Sequence, residues 1–147
     1  MKLFVAAFVL AAVVPARAHH PIASYYDVSR LVPVTGVVVE FRVTNPHVVL
    51  IVDGTTPDGR SGLWAFEGLP PNAFERRGSK DFREKLRTGT RITITGFTAK
   101  DPTIRAFSGR EVTFADGSTM VFGLAPNQSD WRCDSPCSYR YPEVPSK

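Results

Sequence analysis

Two runs rich in β-branched residues, held apart by an Asn-Pro turn, set the strongest limit on the fold. Val34 to Val43 reads V-T-G-V-V-V-E-F-R-V, and His47 to Val52 reads H-V-V-L-I-V. Val, Ile and Thr lose rotamer freedom in a helix and pack well on a pleated surface, so both runs read as strands. In the first, Val37, Val39, Phe41 and Val43 fall on one face, and Glu40 and Arg42 on the other. That is the alternation of a half-buried strand. Gly36 marks a bulge or a close backbone approach. The second run, apolar after His47, reads as buried on both sides. Thr44-Asn45-Pro46 turns the chain between them.

The same logic extends along the chain. Asp53-Gly54 and Pro57-Asp58-Gly59 signal turns, and Leu63 to Glu67 (L-W-A-F-E) is a third strand with Trp64 and Phe66 on one face. Polar and charged residues then take over from Pro70. Ala73 to Arg77 suits one or two helical turns ended by Gly78, and Ser79 is placed to cap a second short helix. In that helix Phe82 and Leu86 share a face, and Gly89 ends it. Arg91 to Phe97 and Arg110 to Ala115 are further strands. Asp116-Gly117 is a hairpin signal, and Thr119 to Phe122 is a candidate sixth strand pairing back across it. Helices do not alternate with strands, which argues against a parallel α/β sheet. The expected class is mainly all-β: a small OB-like barrel of five or six strands, with one short helical segment between strands 3 and 4.

The start of the chain is of another kind. Met1-Lys2, an apolar run from Leu3 to Val14, Pro15 and then Ala16-Arg17-Ala18 form the pattern of a secretory signal peptide, residues 1–18. The run falls short of the roughly 20 residues of a membrane span, and no later segment supplies one. The expectation is an exported chain, periplasmic or secreted, beginning at His19. Its barrel domain would run over residues 19–124, followed by a Pro-rich tail over residues 125–147. The full chain carries 18 Lys and Arg against 14 Asp and Glu. Losing Lys2 and Arg17 with the leader leaves a formal net charge of +2. That near-neutral balance, with export, argues against nucleic acid as a partner.

Export also bears on Cys133 and Cys137, spaced C-D-S-P-C within the tail. In an oxidising compartment they read as a disulfide closing a small loop; the alternative is a thiol pair for metal or redox work. The basic residues Arg76, Arg77, Lys80, Arg83, Lys85 and Arg87 are interspersed with Glu75, Asp81 and Glu84, as on a solvated face with local ion pairs.

The strings H-H-P-I-A-S-Y-Y-D, V-T-G-V-V-V-E-F-R-V-T-N-P-H, W-A-F-E-G-L-P-P-N-A-F-E-R-R-G, R-I-T-I-T-G and A-D-G-S, within residues 19–120, resemble a group of small exported bacterial proteins. That group is the family "domain of unknown function 6152". Its most specific element is T-N-P-H, Thr44 to His47. Pro21 and Ile22 stand where the family usually has Ser and Phe after its two histidines, and Ser79 stands where it usually has Trp. The resemblance implies export and an OB-like barrel, and it carries no assigned activity.

No Gly-x-Ser-x-Gly elbow, phosphate-binding glycine loop or His-Glu-x-x-His occurs. The enzyme reading therefore rests on no motif, and stays open only as redox chemistry at a bound copper. The three histidines, His19, His20 and His47, carry more. Cleavage after Ala18 would give His19 a free α-amine beside its imidazole, two nitrogens able to chelate one ion. His20 or His47 supplies a third. Copper(II) favours such tetragonal nitrogen sites. The alternative is structural: His47 satisfies the turn by hydrogen bonding, and His19 and His20 act only in processing. Asn45 and Tyr25 or Tyr26 are candidate supports for the histidines. A metal-free reading also stands. In it, a barrel face with Trp64, Phe66 and Asn45 takes a periplasmic protein or a small ligand.

Overall fold

In the computed structural model, residues 22–77, 80–123 and 140–145 are described. A four-residue helix α1 (Ile22–Tyr25) leads into β1 (Tyr26–Arg42), followed by β2 (Val49–Thr55) and β3 (Ser61–Glu67). Two short helices, α2 (Pro71–Arg76) and α3 (Phe82–Lys85), precede β4 (Arg91–Ala99), β5 (Ala106–Phe114) and β6 (Thr119–Val121). The expected mainly-β architecture, with its helical segment between the third and fourth strands, is present, and the sixth strand forms.

β1 organises the whole sheet. Its 17 residues are shared between two antiparallel partners: β4 along Tyr26–Val37 and β2 along Thr35–Arg42. Between Thr35 and Val37 the strand is paired on both sides. β2 continues to β3 and β4 to β5, both antiparallel, while β3 and β5 pair in parallel through Ala65↔Ala106. The ring order β1-β2-β3-β5-β4 closes a barrel of OB type, and β6 extends β5 as a hairpin arm. Gly117, at φ +82°, makes the Asp116-Gly117 turn of that hairpin.

Two glycines allow β1 and β2 to coil tightly. Gly36 faces Gly54, and a Cβ on Gly36 would lie 2.2 Å from the Asp53 carbonyl oxygen. Of the two readings of Gly36, the close approach is therefore the one realised. The bulge falls later, between Val38 and Glu40. It corrects the expected facing of this strand. Val32, Val34 and Val38 are the buried residues, Val39 is exposed, and Val37 is only half-buried. Beyond the bulge the parity flips, so Phe41 and Val43 do pack on the core. One extra residue in a strand exchanges its two faces.

The core gathers residues from every strand. Phe107 stacks on Phe66 with ring centroids 4.7 Å apart and meets the Trp64 ring edge-on at 5.5 Å. The helical segment adds Phe74, Phe82 and Leu86 to the same cluster, with Phe74 and Phe82 stacked at 4.9 Å. Each such fully buried side chain contributes roughly 1.5–3 kcal/mol. Phe82 and Leu86 share the buried face their spacing predicts, but the residue at the N-cap of α3 is Asp81 rather than Ser79. Ser79 lies outside the described residues. Lys85 and Asp81 form an exposed i,i+4 ion pair at 3.0 Å, in keeping with a solvated basic face. Among the described residues no helix is long and apolar enough to cross a membrane.

Candidate functional site

The sequence places His47 at the start of the second strand; in the structure it stands two residues ahead of it. The Asn45–Pro46 peptide is cis, and the Thr44 hydroxyl donates to the His47 carbonyl at 3.1 Å. The backbone then runs alongside the end of β3. Val48 N–H donates to Leu69 O at 3.1 Å, and Gly68 N–H donates to Val48 O at 2.9 Å. This pairing sets the His47 ring beside Gly68 and Glu67. His47 Nδ1 lies 3.0 Å from the Gly68 carbonyl oxygen. A carbonyl only accepts, so Nδ1 carries the proton, and in the neutral ring Nε2 holds the lone pair. Nε2 in turn lies 3.8 Å from Glu67 Oε1, with both side chains mostly shielded from water, at 19% and 12% exposure.

Glu67 ends β3, where the W-A-F-E alternation turns it away from buried Phe66. Its other oxygen, Oε2, accepts a hydrogen bond of 3.2 Å from the hydroxyl of Tyr26, which is fully buried. Tyr26 opens β1, directly after α1, so the first described turn of the chain packs onto the same rim. Tyr141, from the far end of the chain, packs edge-on against Tyr26 at 5.5 Å and Tyr25 at 6.2 Å. Its hydroxyl donates to the Tyr25 carbonyl at 2.6 Å. Burial pushes the Tyr141 phenol above its usual range, with Asp101 and Tyr25 adding to the effect. Nearby, Arg42 donates to the Glu143 carbonyl at 3.3 Å. The described end of the Pro-rich tail is thus fastened to β1.

The arrangement is a Tyr26–Glu67–His47 chain of polar contacts at one rim of the barrel. It offers one imidazole nitrogen and one carboxylate oxygen close together, each oriented by a further partner. That is the way protein metal ligands are commonly held. Among the described residues no group of three or more His, Cys, Asp and Glu is placed to hold a metal. His19, His20, Cys133 and Cys137 lie outside the described residues.

Trp64 and Phe66, expected on a ligand face, are packed into the core. They are 2% and 0% exposed. β3 is paired on both sides, by β2 and β5, and its aromatic face points into the barrel. Asn45 is exposed at the turn. Of Tyr25 and Tyr26, it is Tyr26 whose hydroxyl reaches Glu67 beside His47. Glu67 itself was missed by the sequence reading. It lies 20 residues from His47 and 41 from Tyr26, and its only local signal is a lone acid closing an aromatic strand.

A family model described as a family of unknown function (DUF6152) matches residues 6–107. No curated protein and no solved structure matches the chain.

Proposed function

From the premise that the chain belongs to the family of unknown function DUF6152, we propose that it is an exported, periplasmic binding module that holds a metal ion, copper first. The His47 ring carries this reading. Its Nδ1 is tied to the Gly68 carbonyl, and its Nε2 faces the Glu67 carboxylate. A histidine held by one nitrogen through a backbone carbonyl presents the other as a ligand in a fixed tautomer.

Removal of residues 1–18 gives His19 a free α-amine and an imidazole, and His20 stands beside it. His19 is seven residues before Tyr26, whose hydroxyl reaches Glu67. Seven extended residues span at most about 25 Å, ample for an N-terminal arm to return to the rim. Amine and imidazole of His19, His47 Nε2 and a Glu67 oxygen make a donor set of three nitrogens and one oxygen. Tetragonal nitrogen and oxygen donors suit copper(II). Glu67 enlarges the histidine-only set read from the sequence, and Tyr26 orients it. For the competing metal-free module Phe66 is fully buried, and of the two aromatics only Trp64, 2% exposed, lines a surface groove. In the same compartment Cys133 and Cys137 would close a small disulfide in the tail.

The test is to recover the exported protein, read its N-terminal residue by mass spectrometry and titrate it with copper(II). The reading expects His19 first and one tightly bound copper. A single residue added before His19 should abolish that tight binding. Equal affinity in the extended protein would refute the amine chelate.

A further inference from the structure

A groove of about 370 Å³ lies beside the seam where β3 meets β5, toward the start of β3. His47 and Glu67 lie at the other end of that strand, so nothing here depends on the metal reading. The groove is small but within the range of about 300–1,000 Å³ typical of small-molecule sites. Arg30, Arg60 and Lys100 line it, against one acid, Asp27. The Asp27 carboxylate already accepts from the Ser29 hydroxyl and backbone N–H, at 2.6 and 3.0 Å. Ala99, Pro102 and Ile104 give the lining an apolar side.

Two guanidinium groups are fixed in advance, Arg60 within the lining and Arg105 beyond it. Arg60 lies over the Trp64 ring at 5.3 Å and Arg105 at 4.7 Å. The indole is itself anchored, its Nε1 donating to the Gly54 carbonyl at 3.1 Å. Arg105 Nη1 donates to the Ser61 carbonyl at 3.0 Å, and Arg60 Nε to Asp58 Oδ2 at 2.9 Å. Gly62, at φ +130°, makes the space: a Cβ there would stand 3.0 Å from Arg105 Nη1. Each guanidinium retains further N–H donors, and a held, stacked arginine loses little freedom when it grips an anion.

We propose that this groove binds a small organic carboxylate with an apolar body. Arg60 and Arg30, which line the groove, take the carboxylate, and the Pro102–Ile104 side takes the body. The test is a calorimetric titration of the full exported protein at low salt with phenylacetate, phenylacetamide and inorganic phosphate. Saturable phenylacetate binding is expected, with phenylacetamide and phosphate each weaker by about tenfold or more. Arg60→Gln with Arg105→Gln should weaken phenylacetate binding by about tenfold or more. Because those residues also cover Trp64, a second double variant, Arg30→Gln with Lys100→Gln, leaves the stacks intact. It should weaken binding about threefold or more. The proposal is overturned if phenylacetate does not bind saturably, if the amide or phosphate binds as well, or if the second variant keeps full affinity.

Discussion

Replacing Gly36 by Ala tests the way the barrel is coiled. In most strands this change is mildly stabilising, by about 0.4–1 kcal/mol, because Ala has less freedom to lose on folding. Here the new Cβ would lie 2.2 Å from Asp53 O and 2.5 Å from Gly54 Cα. Carbon atoms settle at about 3.5–4.0 Å from their neighbours, so the strands must part by about 1 Å or more. The obstructing atoms are backbone, and they cannot turn aside as a long side chain could. β1 is paired with both β2 and β4 at this point, so its displacement disturbs two ladders. Overpacking costs about 1–3 kcal/mol, and each ladder hydrogen bond weakened is worth about 1 kcal/mol. A net loss of about 3 kcal/mol is expected, which lowers Tm by about 10 °C in a domain of this size. Urea and thermal unfolding followed by circular dichroism measure it. Gly89→Ala is the comparator: its φ is +90° with nothing within 4 Å, so it bears only a conformational cost of about 1–2 kcal/mol. If Gly36→Ala is as stable as the parent, or more so, the close approach of β1 and β2 is wrong.

Three further outcomes follow from the packing and hydrogen bonds. Phe107→Ala removes a ring stacked on Phe66 and set against Trp64; it should cost about 3–5 kcal/mol in urea unfolding, and a cost below about 1 kcal/mol would contradict its central place. The Asp116 carboxyl is held below its usual range, first by the Ser118 hydroxyl and then by the Ser118 backbone N–H. The stability from this depressed value is complete above about pH 4 and lost as pH falls through the folded value. Ser118→Ala should raise the Asp116 pKa in a carbon-detected NMR titration; an unchanged value would refute the cause. Tyr141 should ionise above the usual phenol value of about 10, in an ultraviolet titration read as the difference from Tyr141→Phe. Its contribution to stability is present below that pH and lost as pH rises through the folded value, and ordinary ionisation would contradict its burial.

Strand order could be read from the sequence because the strands carry β-branched or aromatic runs and most turns a Gly, Pro or Asp signal, although Asp53-Gly54, which reads as a turn, lies inside β2. Val37 and Val39 show where such reading stops. Strict alternation assigned both to the core, and a bulge at Val39, produced by pairing with β2, exchanged the faces. The extent of β1 was also hidden. Tyr26 to Pro33 does not alternate cleanly, and pairing with β4 makes it a strand. At the candidate site, His47 was legible because a lone histidine after an Asn-Pro turn is locally conspicuous. Glu67 and Tyr26 were not, since contacts across 20 and 41 residues come from barrel closure rather than from any local pattern. Trp64 and Phe66 were correctly set on one face, but only closure of the ring around the core decides that the face is inside.

The proposed function makes His47 a metal ligand, joined at the rim by the processed N-terminus. Electron paramagnetic resonance of the copper(II)-loaded protein beginning at His19, compared with His47→Ala, tests this. Nitrogen hyperfine structure counts the coordinating nitrogens. His47→Ala should lose one nitrogen from the pattern and bind copper more weakly, by about tenfold or more. An unchanged spectrum and affinity in His47→Ala would contradict it and leave His47 as a residue that only fastens the turn to Gly68.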